Sequence, residues 1–265
     1  MNVLVCNVGS TSLKFKLYEM PACEVMAQGA VERVGSKSDA IFSYRNMRTG
    51  KGEVLEKQSI PDYQTGIERF LYELTQGQNA VLTRVEDIER VGFKATLSKG
   101  HFGVHELDDA VLDGMRDWIA MAPLHNAAYL KAIEVMRSVL PQARFVGAFE
   151  TAFHRDIPLE RKIFGVPYEW YEKYGVQRLG YHSASHGYIA DVLNAEKQQY
   201  AAISCHLGGS CSVCAIENGK SVDTSFGMSL ESGLIHANRT GDIDCGMLSF
   251  LRGQGLSEEE ILEGF

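Results

Sequence analysis

A strand–turn–strand pattern occurs twice in this sequence of 265 residues and restricts the folds that the chain can adopt. Residues 5–17 (VCNVGSTSLKFKL) align without gaps on residues 204–216 (SCHLGGSCSVCAI), so that Gly9 matches Gly208. In both segments a short apolar run ends at a glycine-containing turn, and the following residues alternate as expected of a second strand. Self-similarity of this kind indicates a duplicated unit. The sequence therefore predicts two related α/β cores.

The pattern of apolar residues predicts two domains, at residues 1–150 and 151–265. The first is predicted to contain strands at 2–8, 12–19 and 24–34, a polar and irregular segment at 40–62 with a hairpin turn near Thr49 and Gly50, a helix at 65–77, a strand at 91–96, two helices within 107–138 separated by residues 122–126, and a strand at 144–149. The second is predicted to contain a loop and a helix within 167–193, a strand at 200–209, a hairpin at 212–225 and a last helix that begins at a capping box of Ser257 and Glu260 and ends at Phe265. This alternation predicts the α/β class with mixed sheets.

Composition limits the partners that the chain can bind. Lys and Arg number 26 against 34 Asp and Glu, which gives a net charge of −8. General binding to nucleic acid or to an anionic membrane is therefore not expected, although a local site for a small anion stays open. No apolar run approaches the roughly 20 residues of a membrane span, and residues 1–10 lack the features of a secretory signal. The six cysteines show no disulfide pattern, which predicts reduced thiols and a cytoplasmic protein.

Cys211 and Cys214 form a CxxC motif, a pattern that marks some metal and redox sites. The two cysteines lie in a predicted strand that leads to a hairpin turn at Asn218 and Gly219. Residues three apart on a strand point to opposite faces, so the two sulfur atoms should diverge. No second CxxC or neighbouring Cys/His pair accompanies them, and we predict a structural role for both.

Four polar side chains surround the first turn: Asn7, Ser10, Ser12 and Lys14. A hydroxyl-rich turn after a strand can offer N–H and O–H groups to a phosphate, and Lys14 could add positive charge. The same side chains can also do no more than satisfy the hydrogen bonds of a turn, and their spacing alone does not separate the two interpretations. The motif GxxxxGK[ST] is absent from the sequence, so this turn is not a P-loop.

Further polar clusters fall at the predicted ends of elements. They are LHN at 124–126, ETAFH at 150–154, GYHSASH at 180–186, HLGG at 206–209 and NRTGDID at 238–244. Loops at strand ends carry the binding sites of many α/β proteins. Any one histidine here is more often a packing or capping residue than a catalyst. Their combination in one chain favours a site.

The chain resembles the acetate kinase (acetokinase) family of the sugar kinase/Hsp70/actin superfamily. The resemblance depends on NVGSTSLKFKL, APLHNAAYL, FETAFHRDIP, RLGYHSASHGY, HLGGSCSV, GKSVDTS and NRTGDID, which occur in family order over nearly the whole chain. It implies duplicated actin-like ATPase (ribonuclease H-like) cores, of which the second is incomplete. It also implies a reversible reaction in which ATP and Mg²⁺ convert a short carboxylate to an acyl phosphate and ADP. Residues 1–150 would then carry phosphate and carboxylate loops, and residues 151–265 would begin a nucleotide-binding domain.

The resemblance also implies roles for individual residues. Arg239 matches the arginine that stabilises the transferred phosphoryl group, and His182 matches the histidine that contacts it. The expected groups are: catalytic, Arg239, His182, Glu150 and Lys94; nucleotide-binding, Asn7, Ser10, Ser12, Lys14, His206, Gly208 and Gly209; substrate pocket, Lys94, Thr96, Leu124, His125 and Leu230; metal, Asn7 and Glu150. Such groups suit phosphoryl transfer, which requires positioning and neutralisation of spread negative charge.

Several positions depart from the family pattern. Phe93 and Lys94 replace a His-Arg pair, so the cation that contacts the carboxylate keeps its charge but loses the bidentate fork. Glu150 replaces an aspartate, and Gly209 replaces an asparagine. Thr96 replaces a valine and Leu230 a proline, so a pocket sized for acetate is not assumed. A wider or more polar substrate is equally compatible with these changes.

The family pattern continues beyond residue 265, which leads to two expectations. Either this sequence is a fragment of a longer protein, or another chain completes it, and the strand at 200–207 would otherwise be an apolar edge. The resemblance also implies a homodimer. The alternative function is a catalytically impaired family member that acts as a regulatory or interaction subunit. A hydrolase is disfavoured because the sequence has no GxSxG elbow.

Overall fold

The computed structural model describes the backbone of residues 1–265 and the side chains of all of them except Leu124. The chain forms two compact units, Met1–Phe149 and Glu150–Phe265. The strands are β1 (Asn2–Val8), β2 (Ser12–Glu19), β3 (Glu24–Glu32), β4 (Ser36–Asn46), β5 (Gly52–Ile60), β6 (Ile88–Ala95), β7 (Val104–Glu106), β8 (Arg144–Phe149), β9 (Ala201–Leu207), β10 (Cys211–Glu217) and β11 (Lys220–Thr224). The helices are α1 (Tyr63–Thr75), α2 (Asp109–Asp117), α3 (Pro123–Val139), α4 (Leu159–Lys162), α5 (Tyr168–Tyr174), α6 (Ser183–Glu196), α7 (Gly246–Gly253) and α8 (Glu258–Glu263).

The first unit is built on a mixed sheet of eight strands in the order β5-β4-β3-β2-β1-β6-β8-β7. Strands β1, β6 and β8 are parallel to one another, whereas β1 to β5 form an antiparallel meander. Parallel neighbours require crossover connections, and the helices between β5 and β6 and between β6 and β8 provide them. The predicted α/β class with a mixed sheet is confirmed.

Alternation along the central strands separates the two faces of this sheet. Every second residue of β1 and β2 is fully or almost fully buried: Leu4, Cys6, Val8, Leu13, Phe15 and Leu17. These side chains pack with α1 and α3 in one apolar core, in which the rings of Phe15 and Phe70 stack with their centroids 4.3 Å apart. The intervening residues, such as Lys14 and Lys16, are exposed on the opposite face. Polar side chains of the meander therefore collect on one open surface.

The segment at 40–62 is not irregular, as the sequence analysis predicted, but forms the long strands β4 and β5. Ala40, Phe42 and Tyr44 alternate inward, but the apolar Ile41 between them and the shifts of register between β4 and β5 obscure the strand period in the sequence. The predicted hairpin turn at Thr49 and Gly50 is confirmed, and Gly50 adopts a positive φ of 72°. The three-residue strand β7 also escaped prediction, because so short an edge strand leaves little periodic signal.

The predicted helix break at residues 122–126 is wrong in position. Pro123 is the first residue of α3, where proline is favoured because it has no N–H to leave unpaired and its φ is already helical. The break falls instead at residues 118–122, between α2 and α3, and contains a short 3₁₀ turn at Ile119–Met121. The histidine of the LHN cluster consequently lies on the first turn of a helix and not in a loop.

The second unit contains a sheet of three antiparallel strands in the order β11-β10-β9. The β10–β11 hairpin turns at Asn218 and Gly219, both of which have positive φ, as its sequence predicts. The predicted capping box is present: Ser257 and Glu260 exchange hydrogen bonds at the start of α8, which ends at Glu263 and not at Phe265. Strand β9 lies at an edge of this sheet, as expected. None of the described helices is long and apolar enough to cross a membrane.

The two similar hairpins differ by one residue in the length of their turns. Val8 pairs with Leu13 across the β1–β2 turn, whereas Leu207 pairs with Cys211 across the β9–β10 turn. A change of one residue reverses which face of a strand is buried. The gapless alignment therefore matches the buried positions of β2 with those of β10, but it matches buried positions of β1 with exposed positions of β9, such as Leu207.

Candidate functional site

A trough with a volume of about 830 Å³ lies on the open face of the sheet in the first unit. Its lining includes Asn7, Lys14 and Lys94, three of the residues predicted for the site. Asn7 pairs with Lys14 across the β1–β2 ladder. The last pair of β1 with β6 is Cys6 with Phe93, and Asn7 and Lys94 are the next residues on these two strands. The side chains of Asn7, Lys14 and Lys94 therefore form one row across three adjacent strands.

The trough is locally cationic in an acidic chain. Its lining contains Lys14, Lys16, Lys94 and Arg45, against one carboxylate, Glu53. Glu53 is an ion-pair partner of Arg69, at 3.5 Å between Oε1 and Nη2. Partial loss of solvent lowers the pKa of the Lys94 amine from its ordinary value. The row of Asn7, Lys14 and Lys94 is therefore suited to a small anion.

Hydrogen bonds fix the turn at residues 9–12 and the asparagine before it. The amide of Gly9 donates to the carbonyl of Ser12 at 2.8 Å, and the Tyr63 hydroxyl lies 2.8 Å from the Gly9 carbonyl oxygen. The Tyr129 hydroxyl donates to Oδ1 of Asn7 at 3.1 Å, which leaves the amide nitrogen of Asn7 as its donor for a ligand. The predicted Ser10 lies in this turn and is exposed. Tyr63 and Tyr129 were not predicted, because their contacts are more than 50 residues distant in sequence.

The remaining predicted pocket residues of the first unit have different surroundings. Thr96 is buried directly after β6 and is not among the residues that line the trough. His125 is exposed on the first turn of α3, and the side chain of Leu124 lies outside the described part of the chain. Asn126 beside them is fully buried and donates to the carbonyls of Leu97 and Met115, at 3.2 and 2.9 Å. It anchors the start of α3 and was not predicted as a site residue.

Two predicted histidines meet in the second unit. His182 occupies a left-handed conformation, with φ of 58°, directly before α6, and His206 lies near the end of β9. Their rings stack with centroids 3.9 Å apart and an interplanar angle of 25°. Nδ1 of His206 lies 2.9 Å from Oγ of Ser185, and Nδ1 of His182 lies 2.8 Å from Oγ of Ser212. Both rings are therefore held by hydroxyl groups.

Two further histidines, His154 and His186, are buried behind this pair. Burial lowers the pKa of each to about 4, with a smaller contribution to His186 from the neighbouring histidines. Nε2 of His154 donates to the carbonyl of Tyr181 at 2.8 Å, and Nδ1 lies 2.8 Å from Oγ of Ser221. Neither was predicted as a site residue, although the i, i+4 spacing of His182 and His186 places both on one side of α6.

Arg239 lies in the loop after β11 and is half-buried. Its guanidinium donates from Nη1 to the carbonyl of the predicted pocket residue Leu230 at 2.6 Å. Within the described part of the chain, no Asp or Glu lies within ion-pair distance of Arg239. A half-buried guanidinium that no carboxylate neutralises keeps its full charge for an anionic group.

The predicted glycines lie in the short turn between β9 and β10. A Cβ atom on Gly209 would meet no atom within 4 Å, and its φ is not in the left-handed region. The backbone therefore does not require glycine at this position, and the replacement of the family asparagine leaves an open, side-chain-free turn. Such a turn permits close approach of a ligand to the amide of Gly209, whereas the amide of Gly208 donates to the carbonyl of Ser210 at 3.3 Å.

Glu150 follows β8 at the start of the second unit and is half-buried. Its carbonyl accepts a hydrogen bond from the amide of Ser183 at 3.1 Å. The described residues contain no group of three or more His, Cys, Asp or Glu that could hold a metal ion. Magnesium in nucleotide sites takes most of its ligands from water and phosphate and one or two from carboxylates. The protein groups therefore fit a Mg²⁺ ion that arrives with a nucleotide.

The CxxC motif has the geometry that the strand predicts. Cys214 is fully buried, with its sulfur 3.3 Å from Oγ of Ser221, and burial raises the pKa of its thiol to about 11. Cys211 lies on the opposite face of β10, and its thiol donates to the carbonyl of Gly208. The two sulfur atoms thus have separate surroundings.

Comparison with known proteins assigns this fold and these residues to one family. The model of the acetokinase family matches residues 2–264, and the chain belongs to that family. It is 37% identical over 256 residues to the acetate kinase of Helicobacter hepaticus, which covers 95% of this chain and 63% of that protein. It is 38% identical over 269 residues to the acetate kinase of Parabacteroides distasonis, which covers 97% of this chain and 66% of that protein.

Solved structures agree with the sequence comparison. The chain matches the acetate kinase of Porphyromonas gingivalis with a TM-score of 0.81 and 35% identity, over 99% of this chain and 66% of the other. It matches a propionate kinase of Francisella tularensis with a TM-score of 0.86 and 27% identity, over 98% of this chain and 66% of the other. The predicted family and its actin-like α/β fold are confirmed. The chain spans about 63–66% of the length of these relatives.

Proposed function

We propose that this chain catalyses, or contributes most of the site for, reversible phosphoryl transfer between ATP and a short-chain carboxylate. The products are ADP and an acyl phosphate. One observation carries the proposal: similarity to the acetokinase family runs from residue 2 to residue 264 and so includes every predicted site residue. The relatives named acetate kinase and propionate kinase share the same fold, which supports a short carboxylate as the acceptor.

In the first unit, Lys94 is proposed to bind the carboxylate. It lies in the cationic row of the trough with Asn7 and Lys14, where an anion meets one amide donor and two ammonium groups. A lysine binds the carboxylate as a point charge and not as a planar fork, so recognition here depends on charge more than on orientation. This difference, together with Thr96 and Leu230, favours a substrate range that extends beyond acetate.

In the second unit, the β9–β10 turn and the histidine pair are proposed to bind phosphoryl groups. The open turn at Gly208 and Gly209 presents the backbone amide of Gly209, while His182 and Arg239 supply donors to charged oxygen atoms. Amide, imidazole and guanidinium donors stabilise charge that spreads over the transferring group. Ser10 and Ser12 in the first unit are proposed to bind the phosphate chain with their hydroxyl groups.

Glu150 is the carboxylate proposed to hold Mg²⁺, and Asn7 is proposed as a weaker metal contact through water. When bound, the ion neutralises charge on the nucleotide phosphates. Asn7 is the less suitable ligand, because its oxygen already accepts from the Tyr129 hydroxyl. The reduced state of the free cysteines supports a cytoplasmic location, and we propose a homodimer as the assembly.

The test is an acyl-phosphate trapping assay on the 265-residue chain. The chain is incubated with Mg-ATP, hydroxylamine and acetate, propionate or butyrate, and hydroxamate is measured. We expect product that falls at least about 100-fold in Arg239→Ala, because the variant loses a charged donor to the transition state. Arg252→Ala is the matched control, since Arg252 is an exposed arginine on α7 and is expected to leave the rate unchanged. A folded chain that binds Mg-ATP but forms no hydroxamate would contradict catalysis by this chain alone and favour a regulatory subunit, and an Arg239→Ala variant that keeps the full rate would contradict the proposed site.

A further inference from the structure

A continuous row of hydrogen bonds joins β9 to His182 through the interior of the second unit. Oγ of Ser204 lies 2.9 Å from Nδ1 of His186, and Nε2 of His186 lies 2.8 Å from Oγ of Ser212. The same Ser212 oxygen lies 2.8 Å from Nδ1 of His182. One hydroxyl group therefore stands between two imidazole rings, and each ring nitrogen along the row has one defined partner.

The inner members of this row are withdrawn from water. Ser212 and His186 are 0% exposed, and Ser204 is 6% exposed. Buried hydroxyl and imidazole groups are costly to leave without hydrogen-bond partners. Each O–H and N–H hydrogen of these side chains must therefore find an acceptor inside the protein. The number of these hydrogens decides which directions of the hydrogen bonds are allowed.

His186 is neutral at physiological pH, because burial and the neighbouring histidines hold its pKa at about 4. A neutral imidazole carries one N–H and a hydroxyl oxygen can accept twice, so three arrangements of the row are conceivable. In the first, Ser204 donates to Nδ1 of His186, Nε2 of His186 donates to Ser212, and Ser212 donates to Nδ1 of His182. In the second, every one of these bonds runs in the opposite direction. In the third, Nε2 of His186 and Nδ1 of His182 both donate to Ser212, whose own buried proton then has no acceptor among the described residues.

The second arrangement leaves a buried proton without an acceptor. Ser204 would then accept from His186, and its own hydroxyl proton would have to find another oxygen or nitrogen. Within the residues that the structure describes, His186 is the one hydrogen-bond partner of the Ser204 side chain. The first arrangement satisfies every hydroxyl and ring nitrogen of the row, so the bonds run from β9 toward His182.

We infer that Ser204, His186 and Ser212 form a relay that places the proton of His182 on Nε2 and keeps its Nδ1 as an acceptor. Ser212 and His186 are then positioning residues for the proposed phosphoryl transfer. An N–H at Nε2 can donate to a phosphoryl oxygen, whereas a bare nitrogen there would face that oxygen with a lone pair. The functional part of this inference rests on the proposed function. The tautomer itself does not.

The stacked partner of His182 is consistent with this arrangement. His206 lies against the ring of His182 at a centroid distance of 3.9 Å, and two imidazolium ions at that distance would repel each other. The relay supplies a hydrogen-bond donor at Nε2 of His182 without a positive charge on the ring. It thereby presents an N–H to the phosphoryl group.

The direct test is the ¹⁵N NMR signature of the histidine rings, in which protonated and unprotonated nitrogens are distinct. His182→Gln identifies the His182 signals by their loss. At neutral pH the unmodified chain is expected to show a protonated Nε2 and an unprotonated Nδ1 at His182. In Ser212→Ala the donor to Nδ1 is lost, and we expect a mixture of both tautomers. Ser212→Thr keeps the hydroxyl on the strand and should restore the original pattern.

Ser221→Ala is the matched control. Ser221 is also a buried serine of the same sheet, but it bonds His154 and not His182, so the His182 signals should stay unchanged. A protonated Nδ1 at His182 in the unmodified chain, or an unchanged pattern in Ser212→Ala, would overturn the inference. The first outcome can be read even if the alanine variant does not fold.

Turnover separates this inference from the proposed function. Ser212→Ala should lower kcat about tenfold, which corresponds to about 1.4 kcal/mol, with little change in KM for the carboxylate, and Ser212→Thr should recover most of the loss. If the chain forms no acyl phosphate but the NMR pattern is as expected, the relay stands and the function fails. If turnover is present and the pattern is absent, the function stands and the relay fails.

Discussion

At the scale of single residues, the proposed site depends on cations and hydrogen-bond donors that lie in each of the two units. Lys94 lies near the end of β6 in the first unit, and Arg239 lies in the loop between β11 and α7 in the second, in a chain whose net charge is −8. Such local concentrations of positive charge allow an acidic protein to attract small anions.

Replacement of Lys94 tests the carboxylate site. Lys94→Ala should raise KM for the carboxylate about tenfold to 100-fold, the range for loss of a hydrogen bond to a charged group, and change KM for ATP less than about twofold. Lys94→Arg should lower KM for the carboxylate below that of the unmodified chain, because a guanidinium can donate to both carboxylate oxygens. The hydroxamate assay gives both constants.

Lys16→Ala is the control for this prediction, since Lys16 lines the same trough but stands one row away from Lys94. An equal rise of KM in both variants would show that the trough acts by diffuse charge alone. An unchanged KM in Lys94→Ala would place the carboxylate elsewhere.

At the scale of elements, strand β9 is an edge strand with an exposed apolar face. It lies at the edge of its sheet, and one face exposes Ile203 by 66% and Leu207 by 73%. Unpaired backbone groups beside apolar side chains favour association with other chains. We expect β9 to be the surface through which the isolated chain self-associates, and charge placed on this strand should then prevent association.

The double substitution Ile203→Lys with Leu207→Lys should shift the isolated chain toward the monomer. Sedimentation velocity over a range of protein concentrations measures the effect. Val104→Lys is the control, because Val104 is 71% exposed on the edge strand β7 of the other sheet. Association that survives the double substitution but responds to the control would assign it to the first unit.

The elements with strong periodicity were predictable from the sequence, and those whose signal depends on distant partners were not. Strands β1 and β2 and the β10–β11 hairpin follow from alternation and turn residues such as Asn218 and Gly219. The prediction for the segment at 40–62 failed because shifts of register between β4 and β5 and the exposed apolar residue Val54 interrupt the alternation. At the site, Arg239 and His182 were found through family motifs, whereas Ser212 and Tyr129 became visible only when the chain brought them next to His182 and Asn7.

At the scale of the whole molecule, the two units differ in their response to acid. His154 and His186, both in the second unit, have pKa values of about 4 because they are buried, against about 6.5 in an unfolded chain. The unfolded chain therefore binds protons at a higher pH than the folded one. This part of the stability is complete above about pH 6.5 and is lost as the pH falls toward about 4.

The free energy of unfolding of the second unit should therefore decrease by up to about 1.4 kcal/mol per pH unit for each histidine in that window. The chain has two tryptophans, Trp118 in the first unit and Trp170 in the second, so Trp118→Phe leaves Trp170 as the fluorescent reporter. Urea titrations at several pH values give the slope. His154→Gln should reduce it, whereas His101→Gln in the first unit should not, and an equal slope in all three proteins would contradict the assignment.

The one-residue difference between the two hairpin turns has a consequence for how duplicated folds diverge. A gene duplication delivers two copies of the same strand with the same inner and outer faces. Loss of one residue from a turn exchanges those faces for the whole adjoining strand in a single event. Asn7 then lies on an open surface of its sheet, while His206, the residue aligned with it, lies beside a helix and other histidines. The two copies of a duplicated hairpin can thus place aligned residues in different surroundings through a change in turn length alone, before any of their side chains has been replaced.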